Sequence, residues 1–594
     1  MFNTFNSSSN TRSNATPSSS RLVNPDPASQ THGTGSTPTT PTSTPTTRDT
    51  TVGPRTRNPA SVSKQSQGPR SGFLASTFGR LTGSTQAAEA RATADAKATD
   101  AAQRRTFARA VARIDLGAMR QNFRLGMALI GAGVHPDMSG DFPYGPGEKR
   151  NDETHPPKWT PGVRPAAVVK ASGYGLDDDE NKDEVVRIAT TLASEGCRDF
   201  FVASAAEAAD LRAVLKAQRP DLEKGIAINM LDGIAPGENL QYLVNHKITP
   251  VLNSASELAL WNEQGEKLGK PLPTILQFDS GMARAGIREH QREQVLKDLR
   301  DNKYPFLDIK LVMTHLSDSD DATRVPMPAG MGVAEHADTD TEADTERKNM
   351  ANRAVAEHNQ VYNHTPGDKT LAQLASFDAV CDELRKINPS IQASIGASST
   401  VFIGKDPAQS LDLHKDMVRM GATFHGQAPF SGSDHPLKPT LDIKAKVRQV
   451  ETAQPGEVVG YGSRYAVGSE PETHAAIAWG YTEGAPRRNN ANTDERPHVL
   501  VGKGEHQETA ELIGATSMDQ SQIKTSEGKL KPGDMVTVLG DGISVNQFSK
   551  MHGSGVSELS VKLGSRVAKD YVDDNAPSHV GEPFVDDSPH AWKD

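Results

Sequence analysis

Residues 168–176, VVKASGYGL, set a lysine amine, Lys170, at the end of the apolar run 166–169. That run is too short for a free-standing helix and reads as a strand buried on both faces. A lysine there can be a nucleophile toward a carbonyl or a base at carbon; a solvated loop lysine is the other reading that position allows. Further along stand Arg284 in FDSGMARAG, His315 beside Asp320 in MTHLSDSD, Ser399 in SIGASST and Arg419 in MVRMGATFHG. A guanidinium is permanently charged and forked, which suits it to a carboxylate or a ring hydroxyl. Tyr461 lies in VVGYGSRY, Tyr481 in WGYTEG and Met518 beside Asp519 in ATSMDQ. Taken singly, each has an ordinary structural reading: a satisfied strand-end histidine, a surface ion pair, a turn tyrosine, a core methionine.

The elements that would carry these groups can be counted. Eight short apolar runs follow one another: AAVVK ending at Lys170, FFVAS from Phe200, IAINML from Ile226, ITPVLN from Ile248, TILQFD from Thr274, IKLVMTH from Ile309, IQASIG from Ile391 and MVRMGA from Met417. Most intervals hold a helical pattern, such as Val185, Ile188, Ala189 and Leu192 on one face before Gly196 stops the helix. Strand and helix alternating eight times predicts a (β/α)8 barrel, whose chemistry sits at the C-terminal ends of the strands. From Leu437 the spacing tightens to strands separated by turns such as KPGD, which predicts an antiparallel β domain. The expected division is a leader over 1–103, a barrel over 104–436 with insertions near 131–164 and 319–358, a β domain over 437–575 and a tail over 576–594.

The chain has 594 residues, room for two or three domains, and a net charge of −10, which argues against general nucleic-acid affinity. Its two cysteines, Cys197 and Cys381, suggest neither a metal site nor a disulfide framework. No apolar run approaches the ~20 residues of a membrane-spanning helix, so neither a membrane nor a nucleic-acid partner is expected. Residues 1–85 are rich in Ser, Thr, Asn, Pro and Gly, with eight basic residues against Asp26 and Asp49, and read as disordered. The leader lacks a secretory core. Its composition resembles both type III effector leaders and organellar transit peptides, and fits a plain solubilising tail equally. The expected location is the cytoplasm of the producing cell, with type III secretion as an alternative. Helix propensity is strong in the Ala-rich interval 86–113. The acidic stretch EHADTDTEADTER inside 319–358 is most simply a solvated loop.

These motifs, in this order from about Ala112 to Tyr571, resemble the alanine racemases, enzymes of the fold-type III pyridoxal phosphate class. The resemblance implies that Lys170 forms a Schiff base with pyridoxal 5′-phosphate and serves as one base at Cα. Tyr174, Ser399 and the amides of Gly421 and Ala422 would hold the phosphate. His315 would lie beside the cofactor ring, and Arg419 would face the pyridine nitrogen. Arg284, Tyr481 and Met518 would contact a small amino-acid substrate. Tyr461, contributed by the other chain of a homodimer, would be the second base, because racemisation needs a proton-transfer group on each face of the carbanion.

Several positions depart from the family pattern. Gln277 stands where many relatives carry a carbamylated lysine, so no carbamate can form, and a glutamine amide can replace part of its hydrogen bonding. Ser398 replaces an asparagine, His425 and Ser557 replace tyrosines, and Ser172 stands where Asn or Asp is common. The expected function is therefore racemisation of alanine or a related amino acid. The alternatives are a non-catalytic cofactor-binding or host-protein-binding effector on the same scaffold, and a decarboxylase of the same fold type.

Overall fold

A computed structural model describes residues 106–131, 162–177, 187–223, 225–320, 322–324, 364–403, 411–427, 436–487 and 496–573. The leader, the tail and most of both inserted intervals lie outside the described residues, as does Val185 of the first helical pattern.

The folded chain opens with β1 (Ala110–Asp115) and α1 (Leu116–Leu129). Over residues 110–113 this corrects the helix expected across 86–113, while Thr106, the first described residue, is helical. Propensity in AVARID yields to pairing: its side chains alternate between buried and half-buried, and β1 joins the sheet of the second half of the chain. The barrel expected over 104–436 accordingly lends its first strand to the β domain.

All eight apolar runs are barrel strands. They are β2 (Arg164–Val168), β3 (Asp199–Val202), β4 (Ala227–Met230), β5 (Ile248–Leu252), β6 (Leu272–Gln277), β7 (Leu307–Met313), β10 (Gln392–Ser394) and β12 (Met417–Met420). Neighbours run β10-β7-β6-β5-β4-β3-β2-β12, all parallel, with the short β11 (Gly396–Ala397) beside β12. The ring closes where Asp416 N–H donates to Ala393 O (3.0 Å) and Ser394 Oγ donates to Met417 O (2.8 Å). Ala166, Phe201, Val251, Ile275, Leu311 and Met417 fill the barrel interior, so it is a packed core and not a channel.

Helices cover the outside: α2 (Arg187–Ser194), α3 (Ala205–Gln218), α4 (Leu240–Asn245), α5 (Ala255–Leu268), α6 (Glu289–Arg300) and α7 (Asp368–Ile387). Ile188, Ala189 and Leu192 are buried on one face of α2, and Gly196 follows in the left-handed region at φ 92°. The described chain on either side of the acidic stretch meets as a two-stranded ribbon, β8 (Ala322–Arg324) with β9 (His364–Pro366).

The second half is an eight-stranded sheet ordered β16-β19-β18-β17-β20-β13-β1-β21. Its long member β13 (Leu441–Ala453) pairs antiparallel with β1, β16 (Glu472–Ile477) and β20 (Met535–Leu539). Between them lie β17 (His498–Val501), β18 (Glu508–Ile513) and β19 (Ser521–Thr525), the last a polar strand that alternation did not reveal. One further hairpin, β14 (Val458–Val459) with β15 (Tyr465–Ala466), carries Tyr461 in its connection. The last strand, β21 (Val567–Val572), pairs parallel with β1. Beginning and end of the folded region are thus stitched together over the barrel.

Candidate active site

Lys170 does not end its strand as expected. The strand stops at Val168, and Lys170, exposed, opens a tight turn. Ala171, Ser172 and Tyr174 follow with φ of 55°, 50° and 61°, a run of left-handed residues that costs roughly 1–3 kcal/mol for each non-glycine. Three ties hold it. Glu207 Oε1 accepts the Ala171 N–H at 3.1 Å, Tyr571 Oη donates to Leu176 O at 2.5 Å, and Lys569 Nζ donates to Asp177 O at 2.7 Å. Glu207 stands at the third position of α3: the N-cap Ser204 Oγ accepts the Glu207 N–H (3.4 Å), and Glu207 Oε2 reaches back to accept the Ala203 N–H (2.8 Å). Sequence reasoning passed over Glu207, although the Ser-x-x-Glu spacing at the end of β3 was there to be read.

Across the rim from Lys170 the charges are arranged by burial. Arg419 is buried, its Nη1 donating to Ser394 O (2.9 Å) and Ser394 Oγ, its Nη2 to Thr314 O (2.7 Å). Burial lowers it to about 10, which still leaves the guanidinium charged at neutral pH. His315, just beyond β7, is pushed down to about 3, first by desolvation and then by the positive charges of Arg419, Arg284 and Lys170. Four expected residues are therefore coupled electrostatically, and the histidine among them is neutral. Arg284 is exposed on a turn built by Asp279, whose Oδ1 accepts the N–H groups of Gly281 (3.0 Å), Met282 (2.9 Å) and Ala283 (3.1 Å). Gln277 donates from Nε2 to Ala285 O (3.2 Å), bracing the backbone beside Arg284.

The turn after β12 meets the Lys170 turn side on. A Cβ on Gly421 would stand 2.3 Å from Tyr174 Oη, so glycine is what lets the phenol approach. Burial raises that phenol to about 12, so it stays protonated as a donor. Ser398 Oγ accepts the N–H groups of Gly421 (2.9 Å) and Thr423 (3.2 Å). The Gly421 amide, expected to meet phosphate directly, is thus engaged by a hydroxyl. Ala422 lies on the same turn, its carbonyl accepting from Gln427 N (3.0 Å). Ser399 is buried, its hydroxyl 2.5 Å from that of Ser319. Ser557 donates to Gln427 Oε1 at 2.6 Å.

His425 packs its ring 4.5 Å from that of Tyr174 and is buried, with neither ring nitrogen hydrogen-bonded. Desolvation pushes it down to about 3. Because its folded value lies below the ordinary 6.5, the unfolded chain takes up the proton first, and stability is lost as pH falls from about 6.5 toward 3. Below pH 6 the slope from this one group is about 1.4 kcal/mol per pH unit. Urea unfolding at pH 7 and pH 5 should therefore show a smaller acid penalty in His425→Phe than in the native chain, by about 2 kcal/mol; equal penalties would show that His425 is not a neutral buried ring.

Tyr461, Tyr481 and Met518 form a second group on the β domain. They are 75%, 41% and 54% exposed, with Val458 at 55%. Their loops are joined: Tyr481 N–H donates to Ser517 O (3.1 Å) and Thr482 N–H to Met518 O (3.1 Å), while Gly514 lies against Val459 O. Tyr465 Oη donates to Glu472 Oε2 (2.6 Å), fastening the hairpin that carries Tyr461 to β16.

An amine at the rim of a closed parallel barrel, with an appended β domain, is the architecture of a fold-type III pyridoxal phosphate enzyme. The donor set suits that group: a lysine for its aldehyde, a neutral histidine and a charged arginine for its ring, and a turn of serines with a Cβ-free approach for its phosphate. Comparison with known proteins agrees. The family model for the N-terminal domain of alanine racemase matches residues 157–429, and that for its C-terminal domain matches 440–571. The chain belongs to the alanine racemase family. It is 29% identical over 412 residues to a catabolic alanine racemase of Rhizobium johnstonii, covering 69% of this chain and 88% of that one. A catabolic alanine racemase of Mesorhizobium japonicum is 28% identical over 466 residues, 78% of this chain and 93% of that one. Among solved structures, the alanine racemase of Bartonella henselae, with covalently bound pyridoxal phosphate, superposes with a TM-score of 0.57 at 25% identity over 78% of this chain and all of that one.

Proposed function

We propose that the chain is a pyridoxal-phosphate-dependent racemase that interconverts L- and D-alanine, with Lys170 and Tyr461 as the two proton-transfer groups. The observation that carries this reading is an exposed Lys170 on a turn tied down by Glu207 at the end of a closed parallel barrel whose last strand carries a buried Arg419 bonded to Ser394 and Thr314. When bound, the cofactor supplies an electron sink that makes the Cα proton of the substrate labile. Lys170 anchors it and afterwards takes or returns that proton at Nζ. Tyr174, Ser399 and the turn around Gly421 and Ala422 hold the phosphate end. Arg419 keeps its own protons and so gives none to the pyridine nitrogen; this tempers charge delocalisation and disfavours side reactions. Arg284 receives the substrate carboxylate, and Tyr481 and Met518 shape the pocket.

The second base must come from outside this group. Tyr461 stands on an exposed apolar face with Val458, Tyr481 and Met518. Such a face is accounted for if two copies pair so that Tyr461 of one chain meets Lys170 of the other. Purified protein supplied with pyridoxal phosphate should convert pure L-alanine to an equal mixture of enantiomers in a chiral assay. Optical activity that persists, or release of carbon dioxide, would replace this reading with cofactor binding alone or with decarboxylation.

A further inference from the structure

Ser319 belongs to none of the roles assigned above, yet it makes one of the shortest contacts near the cofactor pocket. Its hydroxyl lies 2.5 Å from that of Ser399, and the two serines are 9% and 7% exposed. Two hydroxyls in contact share one hydrogen bond, so one donates and the other keeps its proton for a different acceptor. A phosphate oxygen only accepts. If Ser399 is to bind phosphate, it must spend its proton there and satisfy its own lone pair from a neighbour. Ser319 is that neighbour. It is held in place by the chain around it, where Ser317 N–H donates to Gln373 Oε1 (3.1 Å) and Thr370 Oγ1 donates to Asp318 O (3.3 Å).

The neighbouring Ser398 follows the same rule. Its oxygen already accepts two backbone N–H groups, from Gly421 and Thr423, which leaves its proton to be donated. The Ser398 proton is therefore free to be donated, and the Ser399 proton is too if Ser319 is the donor in the contact between them. This matters more in a chain with Ser557 at a tyrosine position, because Ser557 turns its own proton to Gln427.

We infer that Ser319 is a positioning residue for the cofactor phosphate: by donating to Ser399 Oγ it directs the Ser399 proton outward to a phosphate oxygen. This rests on the proposed cofactor. The test is equilibrium binding to apoprotein, followed by fluorescence quenching, with pyridoxal phosphate and with phosphate-free pyridoxal as paired probes. Ser319→Ala should weaken pyridoxal phosphate about tenfold and leave pyridoxal unchanged. Ser319→Thr, which keeps the hydroxyl, should restore most of the loss. In the Ser319→Ala, Ser399→Ala double variant the two effects should not add. Equal weakening of both probes would mean that Ser319 only supports the fold, and unchanged binding of both would mean that it orients nothing; either result overturns the inference. Failure of the native chain to bind pyridoxal phosphate would instead overturn the proposed function.

Discussion

Lys170→Ala is expected to abolish racemisation altogether, together with the visible absorbance that the bound cofactor owes to its link with the lysine. The size of the effect follows from two duties vested in one amine, covalent anchoring and proton transfer at Cα. Neither has a substitute among the groups described at the rim: His315 is held neutral at about 3 and Arg419 does not release its proton near neutral pH. The variant should still fold. The side chain is exposed, and the ties that hold its turn run from Glu207, Tyr571 and Lys569 to backbone atoms of Ala171, Leu176 and Asp177. Absorbance of the reconstituted variant and a chiral assay check both halves. Turnover retained in the variant would remove Lys170 from the mechanism.

Tyr461→Phe has a different signature. The cofactor should bind with its usual absorbance, while turnover falls by roughly 10²–10⁴-fold, the contribution typical of a positioned acid or base. Loss of one hydroxyl from a side chain three-quarters exposed removes no core packing, so stability should not change. The split between intact binding and lost turnover separates Tyr461 from the phosphate-pocket residues, whose replacement weakens binding first. An unchanged rate would mean that the second proton-transfer group lies elsewhere.

The fold was largely legible because barrel strands announce themselves. Each contains a short apolar run that is mostly buried, and the helical intervals between them leave one architecture to consider. Strand β19, SQIKT, escaped because only one of its two buried alternating positions, Ile523, is apolar, the other being Ser521. β1 escaped because alanine favours helix in isolation while the partners that make it a strand, β13 and β21, lie hundreds of residues away. At the site, Lys170 was legible as an amine following a buried apolar run, while Arg284, His315 and Arg419 were legible through the resemblance of their motifs to those of the alanine racemases. What the sequence could not display is direction: that Ser398 would engage the Gly421 amide, that Glu207 would reach from a helix cap to the Lys170 turn, or that Gln277 would brace the Ala285 carbonyl. Those are consequences of three-dimensional closure.

The central claim is that one active site is built from two chains, Lys170 from one and Tyr461 from the other. Subunit mixing tests it directly. Lys170→Ala and Tyr461→Phe chains, each inactive alone, are co-expressed with different tags and the doubly tagged species is isolated. A hybrid pair would hold one site with both groups intact and one with neither, so purified hybrids should regain about half the native activity per pair. Hybrids that form but remain inactive would place both groups on a single chain and contradict the account.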